Sequence, residues 1–539
     1  MNNGLMMNSA LTITSIMRHA ESVYSDTEIV SLIGKGELHR YSFAEAFSRT
    51  RRLANALESL GVKPGDRIGT LAWNNYRHFE LYYAIAGIGA VCHTVNPRLY
   101  VEQISYIIDH AADRWLFVDP EFMPLIEQIA PGLRALQGII VLTEAGNLPA
   151  TPRPNVYCYE TLLANEPDTY DWPDLDENTA CSLCYTSGTS GNPKGVLYSH
   201  RALVLQAYGA ALPDSFGLSC RDVILPVVPM FHVNAWGMPY AAAMVGAKLV
   251  FPGSKAGDGA TIVDLINSEQ VTLSLGVPTV WMAVLGNLRE TGRTVQSLNR
   301  VVCGGAACPV SMMDEFRNLH DVNVIHCWGM TELSPLGTVN SLKSGMLDLP
   351  RVELDKIRSK VGRPVYGVEV KIVDHEGKEQ PWDGESFGAL MVRGPWVVQE
   401  YFGGIMAAGE EGWFDTGDIA TVDSNGYVAI TDRKKDLIKS GGEWISSNDL
   451  ESVAVAHPAI AEAAVIGVAH PKWTERPLLV AVKKADQRVT AEELLEWFDG
   501  KVAKWWVPDD VVFVDSLPHT ATGKLSKKDL REQFTGFSL

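Results

Sequence analysis

The sequence predicts an α/β protein with a large amino-terminal domain and a small α+β domain at its carboxyl end. A chain of 539 residues is too long for one hydrophobic core, so two or more domains are expected. Helix, turn and strand patterns alternate through the first half, which is typical of layered α/β domains. The final part carries only short patterns, such as a strand over residues 463–468 and a helix over 491–498, which suffice for a small α+β domain.

The first helix, turn and strand unit shows the pattern clearly. Ser42 and Glu45 form a capping box, and Gly61 ends the helix that is predicted over residues 42–60. One face of this helix is apolar and comprises Phe43, Phe47, Ala54, Leu57 and Leu60. A charged turn follows, and then come a predicted strand, a second helix and a second strand, at residues 68–73, 79–90 and 114–118.

Composition limits the partners and the location of the chain. The net charge of −18 argues against nucleic acid as a partner, because a binder needs a cationic surface. Eight cysteines are scattered without the density of a disulfide framework, which predicts a reducing, cytoplasmic location. Cys181 and Cys184 have the spacing of half a zinc site, but no second pair lies at ligand spacing, so small core residues are the preferred interpretation. We expect neither a secretory signal nor a transmembrane segment.

Residues 185–195 (YTSGTSGNPKG) carry the strongest functional signal. They directly follow an apolar strand pattern. That pattern is preceded by residues 145–178, a stretch rich in proline and asparagine that is expected to be a surface connection. Glycines let backbone amides approach an anion, hydroxyls add donors, and Lys194 adds positive charge, so a polyphosphate is the natural ligand. An ordinary polar turn needs only about four residues, and the spacing of a Walker P-loop is not met. The residues predicted to bind phosphate are Thr186, Ser187, Gly188, Thr189, Ser190, Gly191 and Lys194.

This stretch resembles the phosphate loop of the adenylate-forming superfamily, which includes acyl-CoA synthetases, firefly luciferases and the adenylation domains of peptide synthetases. The resemblance implies that the large domain is built from several subdomains and that the small carboxyl-terminal domain is mobile. It also implies ATP and Mg²⁺ as ligands, with Thr186 at the metal and in catalysis. Further motifs follow along the chain in the order that the superfamily has them.

Residues 230–237 (MFHVNAWG) resemble the acyl-pocket motif of the superfamily and follow a predicted strand over 223–229. In the family, the histidine and the aromatic residue form walls of the tunnel for the acid. The resemblance therefore implies His232, Val233 and Trp236 at the acid pocket, with His232 also in catalysis. The alternative for His232 is a histidine that only fills the core.

Two later segments, 273–279 and 300–307, predict parallel strands with glycine-rich carboxyl ends. Ligands bind at such ends in open α/β sheets. The second segment resembles the one that packs against adenine, where glycines let the flat base lie on the backbone. The resemblance implies contacts of Gly304, Gly305 and Ala306 with the nucleotide and of Gly304 with the acid, whereas tight turns are the alternative.

Residues 322–332 (VNVIHCWGMTE) resemble the family motif YGMTE, with Trp328 in place of the usual tyrosine. By this resemblance Thr331 contacts the α-phosphate and Glu332 binds Mg²⁺ and takes part in catalysis. One carboxylate suits Mg²⁺, which completes its octahedron with water and phosphate. Tryptophan keeps a flat ring but lacks the phenolic hydroxyl. The other residues implied here are His326, Trp328, Gly329 and Met330 for the nucleotide and Pro335 for the acid.

Residues 413–418 (WFDTGD) match the ribose-binding motif of the family, and Asp418 is the expected acceptor for the ribose hydroxyls. Residues 432–436 (DRKKD) resemble the linker between the two domains, although a run of charges is usually a solvated face. The resemblance implies a large domain over 1–431, this linker, and a small mobile domain over 437–539. Arg433 is then expected at the ribose, and Lys435 at the nucleotide and as the hinge.

Two segments of the predicted small domain resemble parts of the family that act in different half-reactions. The first is the CoA-side loop, which comprises Lys439, Ser440, Gly441, Gly442, Glu443 and Trp444. The second, residues 518–525, resembles the final motif of the family and implies that Lys524 is the catalytic lysine. His519 stands where the family usually has arginine.

Taken together, the motifs imply an acid–CoA ligase that uses ATP to form an acyl-adenylate and then transfers the acyl group to CoA. The sequence resembles ligases for medium-chain fatty acids and, particularly closely, those for 3-methylmercaptopropionate, so a short or medium carboxylic acid is expected. A long-chain ligase and a luciferase-like enzyme are the alternatives. A homodimer is also expected.

Overall fold

The structure, a computed structural model, describes residues 4–34, 36–186, 192–440, 443–485, 487–519 and 525–537, without the side chains of Glu410, Glu443 and Trp444. The chain divides into two compact units. The large unit comprises Met1–Glu369 and Arg393–Ala408, and the small unit comprises Val370–Val392 and Gly409–Leu539. The linker predicted at 432–436 lies inside the small unit, so the boundary and the hinge at this position stay predictions.

Elements are numbered along the chain, and the large unit contains helices α1 to α12 among its described residues. They are α1 (Ile13–Val23), α2 (Phe43–Ser59), α3 (Tyr76–Gly87), α4 (Val101–Ala111), α5 (Met123–Ile129), α6 (Tyr159–Leu163), α7 (His200–Ala211), α8 (Met238–Val245), α9 (Gly259–Glu269), α10 (Pro278–Thr291), α11 (Val310–His320) and α12 (Arg351–Ser359).

Two large sheets form the centre of the large unit. The strands of the first are β3 (Arg67–Leu71), β4 (Val91–Thr94), β5 (Trp115–Val118), β6 (Gly138–Val141), β7 (Val156–Cys158), β8 (Ala180–Tyr185) and β9 (Gly195–Ser199), in the order β7-β6-β5-β3-β4-β8-β9. Those of the second are β1 (Glu28–Ile33), β2 (Glu37–Ser42), β10 (Val223–Pro226), β11 (Lys248–Phe251), β12 (Leu273–Gly276), β13 (Arg300–Cys303), β14 (Asn323–Gly329), β15 (Leu336–Val339) and β16 (Arg363–Pro364), in the order β16-β15-β14-β13-β12-β10-β11-β1-β2.

Most neighbouring strands within these two sheets are parallel and almost completely buried. Their sequences are therefore continuous apolar runs rather than alternating patterns. One side chain joins the ends of β3 and β10: the Asn74 amide donates to the carbonyls of Pro226 and Val228, at 2.9 and 2.8 Å, and accepts from the Met230 N–H at 2.6 Å. A short hairpin, β19 (Glu400–Tyr401) and β20 (Ile405–Met406), completes the unit.

The small unit has two sheets of its own. The first contains β17 (Glu369–Val373), β18 (Phe387–Arg393), β21 (Phe414–Val422) and β22 (Val428–Arg433), in this order. The second contains β23 (Ile438–Ser440), β24 (Glu443–Ile445), β25 (Ile460–His470), β26 (Thr474–Lys483) and β27 (Asp510–Phe513), in the order β24-β23-β26-β25 with β27 beside β26. Its helices are α13 (Ser447–Val455), α14 (Ala491–Glu496) and α15 (Lys527–Gln533).

The predicted first unit is confirmed in detail: Ser42 caps α2, the Glu45 side chain accepts from the Ser42 N–H at 2.7 Å, and β3 follows. The expectation of a plain connection over 145–178 was wrong in part, because β7 and α6 lie inside it. β7 is a parallel edge strand beside β6, and α6 buries Tyr159 and Leu163 in the core. Among the described residues, no helix combines the length and the apolar character needed to cross a membrane.

Candidate functional site

The ends of the predicted phosphate loop are joined by backbone pairing in the large unit. β8 and β9 are antiparallel, and Tyr185 pairs with Gly195. The Thr186 N–H donates to the Lys194 carbonyl at 2.9 Å, and the Lys194 N–H donates to the Thr186 hydroxyl at 3.2 Å. The strand that the sequence predicted before the loop is therefore present, and Thr186 and Lys194 are bonded to each other where the loop begins and ends. Ser187, Gly188, Thr189, Ser190 and Gly191 lie outside the described residues.

Thr331 and Glu332 follow β14 and are both buried. The Tyr198 hydroxyl donates to the Thr331 carbonyl at 2.7 Å, and the Tyr401 hydroxyl donates to Glu332 Oε1 at 2.9 Å. The Glu332 carbonyl accepts a further hydrogen bond from the Val398 N–H at 2.8 Å. Both the backbone and the carboxylate of this segment are thus held by neighbouring strands.

Tyr401 also connects Glu332 to the phosphate loop. Lys194 Nζ lies 4.7 Å from the centre of the Tyr401 ring, which is within the range of a cation–π interaction. Burial, and next the nearby Glu332 carboxylate, raise the pKa of Tyr401, so its hydroxyl remains a donor at neutral pH. Thr186, Lys194 and Glu332, predicted from separate motifs, are therefore joined in one chain of contacts.

The oxygen atoms of Thr186 and Glu332 suit Mg²⁺ better than they suit a metal ion whose ligands all come from the protein. Among the described residues, no group of three or more histidine, cysteine, aspartate or glutamate side chains could hold a metal ion. Mg²⁺ typically takes one or two carboxylates and completes its shell with water and phosphate oxygens. The Glu332 carboxylate and the Thr186 hydroxyl are the oxygens that would hold it.

The motif predicted to line the acid pocket forms an unusual left-handed turn. Five consecutive residues have positive φ: Val233 (46°), Asn234 (53°), Ala235 (50°), Trp236 (56°) and Gly237 (78°). Each residue other than glycine pays about 1–2 kcal/mol for this conformation, so the turn needs support from its surroundings.

Two buried amides provide this support. Asn234 Nδ2 donates to the Ser182 hydroxyl at 3.1 Å, and Asn234 Oδ1 accepts from Cys184 Sγ at 3.3 Å, so the turn is tied to the strand before the phosphate loop. Gln206 Nε2 donates to the Trp236 carbonyl at 3.2 Å. The backbone of Trp236 is therefore fixed from α7.

Two of the predicted acid-pocket residues, Trp236 and Gly304, come together at this turn. At Gly304 a Cβ would lie 3.2 Å from Trp236 Cη2 and 2.7 Å from Cys327 Sγ, so only glycine fits beside the indole. Val233 is buried and His232 is partly buried, with its N–H donating to the Pro229 carbonyl at 3.1 Å. Elsewhere in the same unit, the Pro335 carbonyl accepts from the Met330 N–H at 3.1 Å.

The predicted adenine-binding residues lie on β14 or just after β13 and β14. Gly305 and Ala306 are exposed just after β13, as a ligand-binding strand end requires. Trp328, which replaces the usual tyrosine, packs its ring against Gly337, where a Cβ would come within 2.6 Å. His326 is buried, and burial lowers its pKa to about 4, so this imidazole is neutral at physiological pH.

In the small unit, the two predicted ribose residues form an ion pair. Asp418 on β21 and Arg433 on β22 are register partners, and Arg433 Nε lies 2.7 Å from Asp418 Oδ1. The carboxylate is buried, whereas the guanidinium is half exposed. Two motifs that are separate in sequence therefore meet here.

The charged run at 432–436 is not simply a solvated face. Asp432 is fully buried and accepts hydrogen bonds from the Ser447 N–H and hydroxyl, both at 2.6 Å. Asp436 pairs with Arg531, whose guanidinium also donates to the Lys435 carbonyl at 3.3 Å. Both ends of the run are thus held to helices of the small unit.

On the predicted CoA-side loop, Lys439 and Ser440 pair with the backbones of Trp444 and Glu443 across β23 and β24. Gly441, Gly442, the catalytic candidate Lys524 and the side chains of Glu443 and Trp444 lie outside the described residues. Sequence reasoning missed Tyr198, Tyr401, Asn234 and Gln206. Only Asn234 lay in a recognised motif, and the contacts of the others come from distant segments of the chain.

The chain is similar to known proteins over almost its whole length. A model of the AMP-binding enzyme family matches residues 17–402, and a model of the AMP-binding enzyme C-terminal domain matches 449–524. A medium-chain-fatty-acid–CoA ligase of Ectopseudomonas oleovorans is 51% identical over 535 residues, covering 98% of this chain and 97% of that protein.

A 3-methylmercaptopropionyl-CoA ligase of Ruegeria lacuscaerulensis is also 51% identical, over 532 residues and 98% of each chain. The crystal structure of an anthranilate CoA ligase in complex with anthranoyl-AMP superposes with a TM-score of 0.87 at 26% identity, over 98% of each chain. By its motifs, its fold and its relatives, this chain belongs to the AMP-binding, adenylate-forming enzyme family.

Proposed function

We propose that this enzyme is an ATP-dependent, AMP-forming acyl-CoA synthetase that acts on a short or medium-chain carboxylic acid. The observation that carries the proposal is the contact chain from Thr186 through Lys194 and Tyr401 to Glu332. It joins a hydroxyl, a cation and a carboxylate beside the ends of the predicted phosphate loop. The similarity to named CoA ligases over almost the whole chain supports the same conclusion.

The first half-reaction joins the acid to ATP, giving an acyl-adenylate and pyrophosphate. The carboxylate oxygen attacks the α-phosphorus, and the bond to the pyrophosphate oxygen breaks. Because an anion attacks a centre surrounded by negative oxygens, positive groups and hydrogen-bond donors must stabilise the developing charge. We assign this role to Lys194, Thr186, Thr331 and Lys524, and no protein nucleophile is needed. Mg²⁺ bound by Glu332 would neutralise phosphate charge.

In the second half-reaction, the thiol of CoA displaces AMP from the acyl-adenylate and forms the thioester. We assign residues 439–444 to this step, and we assign Asp418 and Arg433 to the ribose in both steps. The ion pair between Asp418 and Arg433 supports their joint role. We further propose that 432–436 is the linker between the domains, with Lys435 as the hinge.

The proposal is tested by measuring pyrophosphate and AMP release over acids from propionate to palmitate, with 3-methylmercaptopropionate included, with and without CoA. We expect release of both products with short and medium acids, and thioester only when CoA is present. A maximum at palmitate would favour the long-chain alternative, and light emission in place of thioester would favour a luciferase-like enzyme. A purified enzyme that never forms AMP with any acid would falsify the proposal.

Lys524→Ala separates the two half-reactions. We expect it to lower adenylate formation by about a thousandfold or more, while CoA still reacts with supplied acyl-adenylate at close to the wild-type rate. Lys528→Ala is the matched control, because Lys528 is an exposed lysine on α15. Equal loss of both half-reactions in Lys524→Ala would contradict the assigned role.

The position of Trp236 against Gly304 supports a pocket with a limited depth. Trp236→Ala is expected to shift the preference toward longer acids by about tenfold in relative kcat/KM, because added methylenes then gain buried area. The chain-length profile of kcat/KM measures this shift. An unchanged profile would show that Trp236 does not set the length of the acid.

A cytoplasmic location is also proposed. All eight cysteines are free thiols, which supports a reducing compartment. The expected homodimer stays a prediction that sedimentation of the purified enzyme would test.

A further inference from the structure

A strained residue of the small unit lies beside the start of the CoA-side loop. Thr474 has a φ of +71°, which is a clear outlier for a β-branched residue. It pairs with His470 across β25 and β26 and with Ser440 across β23 and β26. Such strain persists only where neighbouring contacts fix the backbone, and it often marks a functional segment.

Glu475, the next residue, holds the backbone of Lys439. Its Oε2 accepts a hydrogen bond from the Lys439 N–H at 3.0 Å. The carboxylate occupies space that Gly467 leaves open on the neighbouring strand, since a Cβ there would lie 2.9 Å from the same oxygen. The direction of Glu475 is therefore fixed by packing as well as by its hydrogen bond.

Arg476 then holds Ser440 with a guanidinium whose five N–H groups match five contacts. Nη1 donates to the Ser440 hydroxyl at 3.2 Å and to the Trp505 carbonyl at 2.7 Å. Nη2 donates to the Val507 carbonyl at 3.2 Å and to Asp509 Oδ1 at 2.5 Å, and Nε donates to Asp509 Oδ1 at 2.8 Å. A lysine has three donors and no planar fork, so it cannot reproduce this arrangement.

We propose that Glu475 and Arg476 are positioning residues for the CoA half-reaction. They fix Lys439 and Ser440, the first two residues of the CoA-side loop. Neither Glu475 nor Arg476 is assigned to contact the reacting atoms. The inference rests on the proposed function, which gives residues 439–444 to the second step. Because the first step is assigned to other groups, loss of either side chain should impair thioester formation and spare adenylate formation.

The test uses the full-length enzyme and measures the half-reactions separately. Acid-dependent exchange of pyrophosphate into ATP reports the first step, and kcat and the KM for CoA in thioester formation report the second. The variants are Arg476→Lys, Ser440→Ala, Glu475→Ala and Glu475→Gln. Arg488→Lys is the matched control, since Arg488 is exposed in the same unit.

We expect Arg476→Lys and Glu475→Ala to lose about tenfold or more in kcat/KM for CoA, because small displacements of a positioning segment are costly. Ser440→Ala should lose about threefold, since it removes a single hydrogen bond. Glu475→Gln keeps an acceptor oxygen and should restore most of the rate that Glu475→Ala loses. Pyrophosphate exchange should stay within about twofold of wild type in all of them.

Three outcomes would overturn the inference. Normal kcat/KM for CoA in both Arg476→Lys and Glu475→Ala would refute the positioning role and leave the proposed function standing. Equal loss of pyrophosphate exchange and thioester formation would show that these residues have a purely structural role. If a larger change prevents folding, the same comparison of the two half-reactions is made with Ser440→Ala. A wild-type enzyme without any exchange would overturn the proposed function, and this inference with it.

Discussion

Residues 233–237 and Thr474 both include residues other than glycine at positive φ, and the supports of these two turns differ. In the large unit, residues 233–237 are held by the amides of Asn234 and Gln206, which are essentially buried. In the small unit, Thr474 is followed by Glu475 and Arg476, and the partner carboxylate of Asp509 is partly exposed. Burying a charge is far more costly than burying an amide with partners. Uncharged groups therefore support the deep turn, whereas charged side chains flank the one near the surface.

This difference predicts how each turn fails. A buried amide that is removed leaves neighbours without partners in the core, so the protein should lose stability. The pair of Arg476 with Asp509 is less buried than these amides, so its loss should cost less stability and should be seen in function as well. The following substitutions test this contrast, from the largest expected effect to the smallest.

Asn234→Ala should lower the free energy of unfolding of the large unit by about 3 kcal/mol. It removes hydrogen bonds with Ser182 and Cys184 and the support of a strained turn. Urea unfolding, with hydrogen exchange of the β8 amides, measures the change. Asn147→Ala, at an exposed position, should change stability by less than about 0.5 kcal/mol. A loss of stability as small as that of the control would contradict the conclusion that the buried Asn234 amide supports the turn.

Gly237→Ala should cost about 2 kcal/mol or more, because strain adds to a clash. A Cβ at this position would lie 2.1 Å from Gln206 Oε1, and Gln206 is fully buried. Gly217→Ala is the matched control: it has a φ of +64°, but the nearest atom is 3.4 Å away. We expect only about 1 kcal/mol there, from strain alone. Equal losses in thermal or urea unfolding would mean that the contact with Gln206 carries no energy.

Thr474→Gly should stabilise the small unit by about 0.5 kcal/mol. Relief of about 1–2 kcal/mol of strain is offset by the greater chain entropy of glycine in the unfolded state. Thr474 is exposed, so little packing is lost. Ala235→Gly in the deep turn should gain nothing, because it also loses a buried methyl group worth about 0.8 kcal/mol. Hydrogen exchange of the β26 amides measures the first effect, and a clear destabilisation would contradict it.

The sequence was sufficient for the features that local patterns encode. The capping box of Ser42, the strand before the phosphate loop and the parallel strands β12 and β13 were predicted and are present. The motif that contains Glu332 also fell where a buried strand ends. Each of these depends on residues close together in the chain.

Features that depend on distant contacts were not predictable in this way. Tyr401 bonds to Glu332 across 69 positions, and Tyr198 reaches Thr331 across 133. Nothing near either tyrosine marks it as a partner of a phosphate-binding motif. The left-handed turn was also missed, because Val233, Asn234 and Ala235 have no intrinsic preference strong enough to predict it. Its stability comes from Asn234 and Gln206 contacts that only the folded chain provides.

The pairing of Asp418 with Arg433 bears on the proposed binding of ribose at this carboxylate. The arginine already orients the carboxylate before any sugar arrives, so ribose hydroxyls would meet an acceptor that has little rotational freedom left to lose. Preorganisation of this kind lowers the entropic cost of association rather than adding a new contact. On the proposed assignment, replacing Arg433 would therefore weaken nucleotide affinity even for an analogue that never touches the guanidinium.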